Sequence, residues 1–115
     1  MSVQRINRIS VEFKKEISDI IRNEIKDPRI AELTSIMSVE ITRDFKYAKV
    51  FVSVYGDDKA KEETMEGLRS AAGFIRKEMG KRVKIRYNPE IIFELDTSIE
   101  YGMHISKIID DINNK

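Results

Sequence analysis

Two short segments, set close together, constrain this chain more than anything else in it. SIMSVEIT (35–42) and AKVFVSVY (48–55) each alternate apolar and polar residues, and only RDFKY separates them. That period belongs to half-buried strands, and so short a connection fits an antiparallel hairpin. One face is expected to carry Met37, Val39, Ile41, Ala48, Val50, Val52 and Val54. Lys49, Phe51, Ser53 and Tyr55 fall on the other, where packing against a neighbouring helix is favoured over base stacking. An isolated hairpin is at best marginally stable in water, so its apolar face needs a third strand and helices to cover it.

The flanking sequence supplies both. Residues 3–26 read as a first helix, with Ile6, Ile9, Phe13, Ile17, Ile20 and Ile25 at helical spacing and Ser2 as a cap. Pro28 disfavours helical geometry at Asp27, and DPRIAEL (27–33) is expected to form a short helical turn. After Gly56, Asp57 and Asp58 cap a helix that starts near Lys59. Its stripe runs through Met65, Leu68, Ala72, Ile75 and Met79. A straight helix would aim Phe74 away from that stripe, beside a glycine that costs about 1 kcal/mol relative to alanine. A bend at Ala71-Ala72-Gly73 would remove the conflict, giving two helices that meet at Gly73, the second ending at Gly80. RVKIRY (82–87) alternates again, Pro89 interrupts, and IIFEL (91–95) is the third strand. Thr97 and Glu100 form a capping box for a final helix, 97–113, with Ile105, Ile108, Ile109 and Ile112 on its apolar face. The order α-β-β-α-α-β-α specifies an α+β domain spanning 1–115, a three-stranded mixed sheet with helices on one face.

Charge is segregated. The net charge is only +1, yet residues 69–86 hold seven bases against one acid, a local +6. Gathered cations focus potential on an anionic partner. Charge alone leaves a solvated face open as the alternative. There is no cysteine, no long apolar run and no apolar secretory segment at the N-terminus, so a cytoplasmic protein without a membrane span is expected. His104 is the only histidine, and no phosphate-binding glycine loop occurs. No catalytic residues, metal, cofactor or small-molecule substrate are therefore expected.

The element order resembles the type II KH domain, an RNA-binding fold whose GxxG loop clamps the nucleic-acid backbone between its middle helices. GxxG is missing here, and Ala71-Ala72-Gly73 stands in its place. That departure resembles the bacterial ribosome-binding factor A family, as do KDPRI (26–30), RDFKYAKVFVSV (43–54), AAGFIRKEMGKRVKIRYNPEIIFELD (71–96) and DTSI (96–99). The resemblance implies a non-enzymatic assembly factor, a monomer, whose partners are the free, immature 30S subunit and its 16S rRNA. It also implies a part in late maturation, including 5′-end processing of the rRNA, and in growth in the cold.

On this reading Arg69, Gly73, Arg76, Lys77, Lys81, Arg82, Lys84 and Arg86 form the RNA surface and contact its backbone. Arg5, Arg8, Lys14, Lys15, Arg29 and Lys46 are candidates to extend it. The rival readings are a KH-like module for another structured RNA and an adaptor that meets an acidic protein.

Overall fold

A computed structural model describes residues 3–83 and 88–96. The elements are α1 (Val3–Asn23), β1 (Thr34–Ile41), β2 (Tyr47–Val54), α2 (Asp58–Arg82) and β3 (Glu90–Leu95). The strands form one sheet in the order β1-β2-β3, with β1 antiparallel and β3 parallel to β2. The mixed sheet expected from sequence is present. Residues 84–87 and the expected C-terminal helix lie outside the described residues.

The period-2 pattern of β2 holds throughout: Ala48, Val50, Val52 and Val54 are all buried. Ile91 and Phe93 join them from β3, and Ile36, Val39 and Ile41 from β1. Phe13, Ile17 and Ile20 of α1 and Met65, Leu68, Ile75 and Met79 of α2 complete one continuous core. Both helices therefore cover the same face of the sheet. On the other face, Tyr47, Lys49 and Phe51 lie beside Glu90, Ile92 and Glu94 in register. Among the described residues no helix covers that face, and Tyr55 stays 80% exposed, contrary to the packing expected for it.

One residue of β1 departs from its predicted face. The pairing steps from Ile36↔Val52 to Ser38↔Phe51, so Met37 is the extra residue of a β-bulge. The bulge puts Ile36 into the core in place of Met37, which is 37% exposed. The following turn buries Phe45 at a positive φ of 59°, and Asp44 steadies it by accepting from the Thr42 hydroxyl at 2.8 Å and the Lys46 amide at 3.1 Å.

The first helix stops at Asn23, three residues before the predicted end, and the Ile25 amide donates back to the Ile20 carbonyl at 3.1 Å. The expected helical turn at 27–33 is instead a tight loop, closed by the Ile30 amide on the Asp27 carbonyl. Thr64, fully buried on α2, fastens this loop: its hydroxyl accepts from the Ala31 amide at 2.9 Å and donates to the Arg29 carbonyl at 3.3 Å. Beside it, a Cβ on Gly67 would come within 2.9 Å of Ile30 Cγ1.

The largest correction concerns α2. The helix runs unbroken from Asp58, capped by the Asp57 carboxylate, to Arg82. The two helices expected to meet at Gly73, and the stop expected at Gly80, are replaced by this single helix. Leu68, Ile75 and Met79 keep a seven- and four-residue spacing, so one straight stripe serves the core without rephasing. Phe74 does not join Ile75 in the core and is 46% exposed. Gly73 makes no tight corner, since a Cβ there would meet nothing within 4 Å. Gly80 lies inside the last turn, where a Cβ would come within 3.0 Å of the Asn88 side chain.

Gly67 and Gly73, on the same helix, should thus respond oppositely to one methyl group. Gly73→Ala is expected to raise the free energy of unfolding by about 0.5–1 kcal/mol, because the backbone is helical and the space is open. Gly67→Ala is expected to lower it by about 1–3 kcal/mol, because the loop at Ile30 must shift. Urea unfolding of both variants checks this, and a destabilising Gly73→Ala would restore the bend.

Candidate nucleic-acid interface

Positions 69, 73, 76 and 80 are spaced by four, three and four residues, so they share one side of α2. Their contacts fix that side against β3, the edge of the sheet. The Glu90 amide donates to the Lys46 carbonyl just before β2 and the Asp96 amide to the Val52 carbonyl in it, so the alternate residues Ile91, Phe93 and Leu95 turn their backbone groups outward. Arg69 Nη2 reaches the Phe93 carbonyl at 3.4 Å. Arg76 donates through Nε at 3.3 Å and Nη2 at 3.0 Å to the Asn88 backbone carbonyl, and the Asn88 side-chain Nδ2 donates back to the Arg76 backbone carbonyl at 3.0 Å. Gly73 stands between the two arginines on this side of the helix, exposed and with open space where a Cβ would be.

The structure therefore brings Arg69, Gly73 and Arg76 together, though along a straight helix rather than at a bend. Each guanidinium carries five N–H donors and uses at most two of them here, leaving the rest for an anion. Lys77 is exposed on the adjoining turn, and Lys81 makes a long, exposed ion pair with Glu78 at 3.4 Å. Lys84 and Arg86 lie outside the described residues.

Arg82 is placed differently from the rest of the set. Its guanidinium turns back to α1 and binds Asp19 at 2.7 Å, Glu16 at 3.0 Å and Glu24 at 3.0 Å. The hydrogen bond from Arg82, followed by one from Asn23, holds the Asp19 carboxyl below its ordinary pKa. The same bonds, from Asp19 first and Glu16 second, push the Arg82 guanidinium up. Arg82 is thus a clasp between helices, neutralised where it stands. Arg29 is likewise occupied: it grips Asp27 at 2.7 Å, with Glu66 at 3.6 Å, and lowers the Asp27 pKa. Lys46 is exposed in the β1–β2 turn, and Arg5, Arg8, Lys14 and Lys15 are exposed on α1.

Sequence reasoning did not find Asn88, Thr64 or the three acids that meet Arg82. Asn88 precedes a proline, which is a turn signal, but nothing local reveals that it clamps Arg76. The potential along α2 is strongly graded. Residues 57–66 hold five acids and two bases, and residues 69–82 hold five bases and one acid. This order favours the helix dipole and leaves its C-terminal half cationic. Among the described residues no three His, Asp or Glu side chains could hold a metal ion, and no helix is long and apolar enough to cross a membrane.

The family model for ribosome-binding factor A matches residues 5–109. The chain belongs to the ribosome-binding factor A family. A ribosome-binding factor A from Caldanaerobacter subterraneus subsp. tengcongensis is 59% identical over 96% of this chain and 91% of its own. A solution structure of a Thermotoga maritima protein, provisionally assigned as a ribosome binding factor A, is 31% identical with a TM-score of 0.75 over 87% of this chain and 94% of its own. A homology model of the Thermus thermophilus ribosome binding factor A, fitted into a cryo-EM map of its 30S complex, shares the fold at a TM-score of 0.66 and 20% identity, over 80% of this chain and 96% of its own. The fold of this family member is thus the KH-like α+β arrangement, with its middle helices fused into α2.

The Arg82 clasp has a consequence for pH. Asp19 is more acidic folded than unfolded, so its contribution to stability is complete above the unfolded value of about 3.9 and is lost as pH falls through the lower folded value. Arg82→Gln removes the main cause of that shift. The variant should be less stable than the parent at pH 7, and the gap should shrink below about pH 4. Urea midpoints across that range test this, and a constant gap would contradict it.

Proposed function

We propose that this chain binds the immature 30S subunit through its 16S rRNA and assists late maturation without catalysis. The observation that carries the reading is the row Arg69, Gly73, Arg76 along the free edge of β3, with exposed Lys77 and Lys81 beside it. An RNA backbone laid in that margin meets guanidinium and ammonium donors, and Gly73 leaves room for close approach. The Thermus relative seen with the 30S subunit supports the choice of partner. Lys84 and Arg86 extend the basic run in sequence and belong to the proposed surface. Arg82 contributes by holding α2 against α1 rather than by touching phosphate.

Association is dominated by phosphate neutralisation and counterion release, and the contacts position the protein rather than read bases. The factor acts as a monomer in the cytoplasm and takes no cofactor or small-molecule substrate. Its parts in 5′-end processing of 16S rRNA and in growth in the cold rest on the family resemblance.

Sedimentation with purified small and large subunits over a salt series tests the reading. Co-migration with small subunits is expected, with a log-log salt slope of about −3.5 to −4.5 for about five phosphate contacts. Lys77→Glu with Lys81→Glu should abolish it. Equal binding to both subunits, or binding indifferent to salt and to these substitutions, would contradict the assignment.

A further inference from the structure

The stretch from residue 3 to residue 26 holds six bases and four acids, Glu12, Glu16, Asp19 and Glu24. Three of those acids are gathered by Arg82. The first helix is thereby divided lengthwise. The flank toward α2 is an acid seam in which three carboxylates share one guanidinium. The rest of the solvent side carries Arg8, Lys14, Lys15 and Arg22 with the single acid Glu12, all exposed, and the chain continues it with exposed Lys26. Arg22 and Lys26 also border a groove between α1, the 26–32 loop and β1, which fixes this side as the one turned from α2. Among the described residues none of these five cations makes a direct ion pair, and only Arg22 stands near enough to a seam acid, Asp19, to help lower its pKa. Arg8, Lys15 and Arg22 recur every seven residues, so they stand about 10 Å apart in a line of about 20 Å.

We propose that this ridge on α1 is a second RNA-binding surface, separate from the α2–β3 margin, and that one molecule holds two RNA segments together. The proposal rests on the reading that the partner is RNA. The seam of Glu16, Asp19 and Glu24 between the two cationic surfaces repels phosphate, so a single strand cannot run across both. The ridge is a straight, convex row of charges whose only large exposed apolar side chain is Val11. A protein partner is expected to need buried apolar or aromatic anchors at the centre of its contact. A repeating polyanion needs only charge along its length, and the broad, shallow minor groove of an RNA duplex accepts a convex surface.

A bridging assay tests this with the full chain. One short RNA duplex is biotinylated and held on beads, and a second, fluorescent duplex is free in solution. The parent protein should retain the fluorescent duplex on the beads. Arg8→Gln with Lys15→Gln and Arg22→Gln should cut retention at least tenfold, while binding to a single duplex persists through the α2 margin. Arg8→Lys with Arg22→Lys should restore bridging, which separates lost charge from lost folding. Bridging that survives the glutamine substitutions overturns the ridge, as does a parent protein that binds one duplex and never retains a second. In the ridge-glutamine variant, single-duplex binding that ignores an added Lys77→Gln with Lys81→Gln counts instead against the α2 reading.

Discussion

The parallel pairing of β3 with β2 is the constraint on which the rest of this structure depends. An antiparallel hairpin closes with a five-residue turn, but a parallel third strand requires the chain to travel back along the whole sheet. The return path is α2, and its 25 residues make it the longest element described. Because the path ends at Asn88, just before β3 begins, the C-terminal half of α2 lies along the free edge of that strand. Arg69 and Arg76 reach backbone carbonyls there as a consequence of topology, without needing a loop to present them. The GxxG device of KH domains is missing, and in the proposed function the margin between a straight helix and an edge strand takes its place.

The remaining tertiary ties keep that margin in position. Thr64 and Gly67 admit the 27–31 loop against α2, and Arg82 fastens the far end of α2 to α1. These ties also sort the charges. Arg29 and Arg82 are occupied by carboxylates, while Arg76, Lys77 and Lys81 remain on the surface. A count of bases along the chain treats all of them alike. The folded protein distinguishes cations held by carboxylates of another segment from cations left at the surface.

Much of the fold was legible because its strands obey a two-residue period and are separated by strong turn chemistry. β2 and β3 follow the expected alternation within one residue, and Asp57 caps α2 as its position suggests. The misses have physical causes. A bulge adds one residue to β1, and no local signal marks it, so Met37 and Ile36 exchange faces. The expected bend at Gly73 assumed that a large aromatic side chain must be buried, but α2 has enough core contact through Leu68, Ile75 and Met79 to leave Phe74 half out. In the candidate site, the charge segregation and the grouping of Arg69, Gly73 and Arg76 could be read from spacing. The capture of Arg82 could not, because Glu16, Asp19 and Glu24 lie about sixty residues away in sequence and only packing brings them near.

In the proposed function the graded potential along α2 presents the basic end of this helix to RNA and keeps the acidic end away. Lysine acetylation footprinting, read by mass spectrometry on the free protein and on its complex with small subunits, tests that claim most directly. Lys77 and Lys81 should lose reactivity on binding, while Lys59, exposed at the acidic start of α2, should keep it. Protection of Lys59 with Lys77 and Lys81 still reactive would contradict the account and place the ribosome at the opposite end of the helix.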